Sequence, residues 1–147
     1  MEITRMHGVK ANLGLAFLLN RVVTKACGTT LILGKAWGRI HIMGGWELMA
    51  PDGHLLASRY PSSRRGINQK DLLELFRETG DDGTEPTPPE PRSSLCDIVG
   101  QKITHWEVFP PYSIVLWFAN KMSLRLIADQ GGFESFTIST PRHCIVV

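Results

Sequence analysis

The strongest constraint in this chain is that its two halves carry nearly the same pattern. "NRVVTKA" (20–26) lies on "GQKITHW" (100–106), with Val23-Thr24 over Ile103-Thr104. "TLILGKAWGRIHI" (30–42) lies on "SIVLWFANKMSLRL" (113–126) with one inserted residue, and "GGWEL" (44–48) then falls against "GGFES" (131–135). Three blocks in one order point to duplication of a single unit. Each unit reads as a β-meander, short β-branched or alternating runs punctuated by glycine. A meander of three or four strands has one apolar face and cannot hide it alone. Two copies must therefore join into one sheet or stack face to face, within a single domain over residues 1–147.

The first β repeat spans 13–57. Its strands are "RVVTKAC" (21–27), "TTLIL" (29–33), "GRIHIM" (38–43) and "WELMA" (46–50), and "HLLA" (54–57) pairs back across the turn "PDG" (51–53). The second repeat spans 95–147, with strands "QKITHWEV" (101–108), "YSIVLWF" (112–118), "SLRLIA" (123–128), "ESFTIS" (134–139) and "HCIVV" (143–147). "IVLWF" is apolar throughout, which suits a central strand buried on both faces. The two double-glycine motifs read as the hairpin turn closing each copy, with the aromatic for the core.

Between the repeats, "INQKDLLELFRETG" (67–80) predicts a helix. Asn68 is placed as N-cap, with Asp71 three residues on, and Gly80 stands at the C-cap position. Leu72, Leu75 and Phe76 give it a narrow apolar face that packs on the sheet. The segment 81–94, "DDGTEPTPPEPRSS", has four prolines and four acidic residues and no large apolar side chain, so it reads as an extended connector. Its acids Asp81, Asp82, Glu85 and Glu90 also suit a contact loop that orders on a basic partner. The fold class expected is α+β, mostly β: two repeated antiparallel meanders forming one domain, with one helix packed on the sheet.

Composition narrows the function classes. A formal charge of +2 argues against a nucleic-acid partner, which calls for a basic stripe. No stretch reaches the roughly 20 apolar residues of a membrane span. "LGLAFLL" (13–19) has the look of a signal-peptide core, but Arg21 and Lys25 follow it at once without a cleavage site, so it reads as a buried element. Three widely spaced cysteines (Cys27, Cys96, Cys144) fit reduced thiols, and the expected location is cytoplasmic.

No catalytic or metal constellation is legible, and no cofactor is expected. The five histidines have no zinc-ligand spacing, and His41 and His105 read as outward-facing residues of alternating strands. Cys144 follows His143, and neighbouring strand residues point to opposite faces. Glu47 and Glu134 follow the aromatic of each repeat; the plain reading is that each accepts bonds from its turn or faces solvent. A small hydrolase with a Glu/His site between the repeats is the enzymatic alternative. Trp106 and Trp117, within strands, read as core. Trp37 falls in the turn "GKAWGR", where it either folds onto its own sheet or, with Lys35 and Arg39, forms a partner-binding patch.

The second unit, "VGQKITHWEV", "IVLWFANKMSLRL" and "ESFTIS", together with "WELMAPDG" (46–53) in the first, resembles a bacterial family of small, duplicated β-rich proteins. Relatives of that type look like immunity proteins of polymorphic or contact-dependent growth inhibition toxin systems. The resemblance implies a non-catalytic protein that binds a cognate toxin domain and occludes it. A homo-oligomer joined through exposed strand edges, such as that of "CIVV", is the structural alternative.

Overall fold

The computed structural model describes residues 2–60, 94–128 and 134–147. The helix expected over 67–80 lies outside the described residues, as does the connector expected over 81–94 up to residue 93. Among the described residues helical structure is confined to two 3₁₀ turns, Ala16–Leu18 and Leu95–Ile98. Everything else regular is strand: β1 (Glu2–Arg5), β2 (Val23–Cys27), β3 (Thr30–Leu33), β4 (Gly38–Ile42), β5 (Trp46–Met49), β6 (Leu55–Arg59), β7 (Ile103–Phe109), β8 (Ser113–Phe118), β9 (Ser123–Ile127), β10 (Phe136–Ser139) and β11 (His143–Val146).

Side-chain alternation explains how these strands are used. In β4, Ile40 and Ile42 are buried while Arg39 and His41 are exposed, the period of a half-wet strand. In β8, Ile114, Val115, Leu116 and Phe118 are all buried, as the unbroken apolar run required, and β8 lies between β7 and β9 in the interior of its sheet. The segment 13–19 delivers Leu13, Leu15 and Leu18 to the core.

The strands form two sheets, one in the order β1-β11-β10-β4-β3-β2 and the other in the order β6-β5-β9-β8-β7. All pairings are antiparallel except that of β1 with β11. A single apolar cluster draws on both sheets, with Leu31, Leu33, Ile40, Phe136 and Ile138 from one and Leu48, Ile103, Leu116, Phe118 and Leu124 from the other. Each sheet holds a meander from one half of the chain and a hairpin from the other. The hairpin β5–β6 leaves its own meander and pairs with β9, and the hairpin β10–β11 pairs with β4.

The double glycine at 44–45 is therefore a passage from one sheet to the other, not the hairpin turn expected from the sequence. Gly44 sits at a close approach of two chain segments. A Cβ there would stand 3.3 Å from both Cα and Cβ of Ser135, on the opposite passage into β10. Both Met43 and Gly44 donate backbone N–H groups to the Ser135 carbonyl, at 2.9 and 2.8 Å. Trp46, one residue beyond the glycines, is buried, so the aromatic serves the core as expected.

The halves also meet at a second seam. Asn20 donates its N–H to Ile103 (2.8 Å) and Gly100 donates to Val23 (2.6 Å), while Val23 donates to Gln101 and Ile103 donates to Arg21, both at 2.9 Å. An antiparallel bridge between Val22 and Lys102 sits at the centre. Asn20 (φ 69°) and Gly100 (φ 89°) both occupy the left-handed region that turns the chain into β2 and β7. The C-terminal strand β11 is paired on both sides, by β10 and by β1, so the edge expected to need a partner is filled from within the chain.

Gly38, where β4 meets β10, is tightly packed: a Cβ would lie 2.9 Å from the Ser139 carbonyl oxygen. Gly38→Ala should cost about 1–3 kcal/mol in denaturant unfolding, the usual penalty of overpacking. Wild-type stability in that variant would contradict the close approach of β10 to β4.

Candidate interaction surface

The patch anticipated from the sequence lies on the six-stranded sheet. The turn between β3 and β4 carries Gly34 and Ala36 at φ of 61° and 55°, and the Trp37 N–H closes it onto the Leu33 carbonyl at 3.0 Å. This geometry presents Lys35 to solvent and folds Trp37 back, half-buried, against the core. The Arg21 guanidinium caps the exposed side of the indole, 3.7 Å from the ring centroid, a cation–π contact. Trp37 is thus a fixed element of its own sheet, while Lys35 and Arg39 remain exposed.

Strand register extends the patch. Lys25, Ile32 and Arg39 are aligned across β2, β3 and β4, and Ser139 of β10 follows. The next row is Cys27, Thr30, His41 and Thr137, and Thr30 Oγ1 holds His41 Nδ1 at 2.7 Å. Paired residues share a face, so Lys25, Arg39 and His41 project together away from the buried Leu31, Leu33, Ile40 and Ile42. Among the described residues no carboxylate pairs with Lys25, Lys35 or Arg39. Arg21 and Lys25 were not singled out from the sequence. The signal was there: from Ile3 to Trp46 the chain has no aspartate or glutamate, but has Arg5, Lys10, Arg21, Lys25, Lys35 and Arg39. Asp81, Asp82, Glu85 and Glu90, the acidic part of the anticipated contact surface, lie outside the described residues.

The five-stranded sheet has a different outer face. Glu47, Arg125, Val115 and Glu107 run across β5, β9, β8 and β7. Here each carboxylate has a neighbour: Arg125 Nε lies 3.8 Å from Glu47, and His105 Nε2 lies within hydrogen-bonding distance of Glu107 at 3.4 Å. Trp117 belongs to this face and not to the core, because its β8 position points opposite to Leu116 and Phe118; it stacks on His105 with centroids 5.1 Å apart. Trp106, by contrast, is half-buried against the core. Met49, Pro51, Phe109, Val115, Trp117, Lys121 and Arg125 surround a shallow open depression of about 280 Å³.

Two titrating groups are displaced, both by close neighbours. The Tyr60 hydroxyl donates to Glu47, and this bond, helped by partial burial, raises the phenol above its usual value of 10.0. Asp52 accepts from the backbone N–H of His54 at 3.0 Å and pairs with its ring, which lowers the carboxyl below 3.8. Glu134 lies elsewhere, 3.5 Å from Arg5 beside β1, so the two glutamates of the double-glycine motifs serve different neighbours on different sheets. Among the described residues no group of three His, Cys, Asp or Glu side chains could hold a metal, and no helix is long and apolar enough to cross a membrane. The three cysteines are free.

No protein-family model matches the chain, and no curated protein or solved structure matches it.

The Tyr60 bond has a testable pH signature. A folded value above the unfolded one means that its stabilising contribution is complete below about pH 10 and is lost as pH rises through the folded value. In a Tyr112→Phe background, tyrosinate absorbance should report this raised titration, and Glu47→Gln should move it back toward 10. An unchanged midpoint in the Gln variant would sink the assignment. On the other sheet, Arg21→Ala should cost about 0.5–1 kcal/mol and make Trp37 more accessible to a neutral fluorescence quencher.

Proposed function

We propose that this chain is a non-catalytic, cytoplasmic protein-binding protein of the immunity type, neutralising a toxin domain by binding and occluding it. The observation that carries the binding role is the set of exposed cations Lys25, Lys35 and Arg39 on one sheet face, paired with no carboxylate among the described residues. Charged groups held on well-ordered strands are pre-organised for a macromolecular surface and steer its approach. Glu47 bonds to Tyr60 and Arg125, and His41 to Thr30, so these groups engage immediate neighbours instead of converging on one point as acid–base chemistry needs. The toxin as partner rests on the motif resemblance.

The same proposal includes duplication of one unit. Its support is the reciprocity of the seam, where Asn20, Arg21 and Val23 exchange roles with Gly100, Gln101 and Ile103. Each half then runs through a 3₁₀ turn and five strands, in which Leu15 and Leu18 correspond to Leu95 and Ile98. Thr24 and Thr104 each sit at a register shift and each donate to a carbonyl of the next strand. The pairings Trp46–Leu126 and Phe136–Ile42 make Phe136 the counterpart of Trp46, in place of the Phe133 suggested by the double-glycine alignment.

The test is affinity capture with the tagged full chain from its native cells, followed by identification of what is retained. A polypeptide carrying a toxin domain, whose toxicity is suppressed by co-expression of this chain, is the outcome expected. Co-expression that leaves the captured domain toxic, or capture of no such domain, would overturn the immunity role.

A further inference from the structure

We infer that the outward face of β2, β3 and β4 docks an acidic protein surface, with Lys25 and Arg39 as its principal contacts and Lys35 at its rim. The assignment rests on the protein-binding role proposed above and specifies the partner's chemistry.

The chain as a whole is nearly balanced at +2, yet the segment that forms β2, β3 and β4 contains no acidic residue at all. Its cations are gathered by register onto one face. Lys25 and Arg39 stand two strands apart on either side of Ile32, about 9–10 Å between backbones at ordinary strand spacing. A surface with carboxylates at similar spacing would meet both at once. Ile32 and Thr30 of β3 lie between them, and Ser139 and Thr137 of β10 continue the surface beyond Arg39, uncharged side chains that let a partner approach closely. Arg21 is committed to Trp37, so it supports the turn that holds Lys35.

The contrast with the other sheet sharpens the choice. On the five-stranded sheet Glu47 faces Arg125 and Glu107 bonds to His105, so the carboxylates of that face have partners within it. Lys25, Lys35 and Arg39 meet no carboxylate among the described residues, and like charges gathered on one face repel until a surface of opposite sign covers them. Single-stranded nucleic acid is the less suitable occupant. Sheet surfaces that bind it offer aromatic side chains for base stacking, whereas the rows on β2, β3, β4 and β10 offer none beyond His41, already held by Thr30.

The test uses the full chain and its Lys25→Glu/Arg39→Glu variant. Both positions are exposed on strands, so near-UV circular dichroism and Tm should be retained; Lys25→Gln/Arg39→Gln replaces the variant if they are not. A fluorescent oligoglutamate peptide and an oligothymidylate of matched charge serve as probes in low salt. The peptide should bind at least as tightly as the oligonucleotide, lose about tenfold or more in the variant, and weaken steeply with salt. Tighter binding of the oligonucleotide, or equal binding of the peptide to wild type and variant, would overturn the inference. The toxin domain separates the two levels. If it binds wild type and variant equally, the immunity role stands and this docking face falls. If no toxin domain binds but the peptide recognises Lys25 and Arg39, the immunity role falls and the acidic-surface assignment stands.

Discussion

The structure depends on the exchange of hairpins between its halves. Neither meander, β2–β4 or β7–β9, is completed by its own following hairpin; each is extended by the hairpin of the other half. The exchange is enforced at two places. At one, Gly44, between β4 and β5, lies against Ser135 at the entry to β10. At the other, residues 20–23 and 100–103 bond reciprocally and bring the start of β2 to the start of β7. Between these contacts the inner faces close over one core. Long-range pairing of this kind makes folding slow compared with local meanders but ties both halves into one cooperative unit.

Because the core claims the inner faces, chemistry is left to the outer ones, and these differ. The five-stranded sheet partners its carboxylates within the face, Glu47 with Arg125 and Glu107 with His105. The six-stranded sheet carries Lys25, Lys35 and Arg39 without carboxylate neighbours among the described residues.

Much of the strand pattern was legible because it follows from side-chain period and glycine punctuation. The alternation in β4, the apolar run of β8 and the hairpin across Gly53 (φ 92°) all follow from local chemistry. What local chemistry could not convey was which strands pair. A double glycine is compatible with a tight turn and with a close crossing of two chains, and only the presence of Ser135 beside Gly44 distinguishes them. Strand β1 escaped notice because "EITR" is too short to show a period, and its place is set by β11 at the opposite end of the chain. Trp117 was misassigned for a related reason: an apolar run hides which of its residues face outward. For the candidate surface, Lys35, Trp37 and Arg39 were visible as neighbours in sequence, whereas Lys25 joins them only through register. The missing acids between Ile3 and Trp46 could have been noticed, but total charge conceals them.

Nuclear Overhauser contacts between backbone protons in dilute, isotopically labelled protein would test the exchange most directly. The account predicts contacts joining Ile40 to Ile138 and Leu48 to Leu124, unchanged in intensity as concentration is lowered, because both pairings lie within one chain. Contacts that instead join β5 to β4 and β10 to β9, each hairpin resting on its own meander, would contradict it.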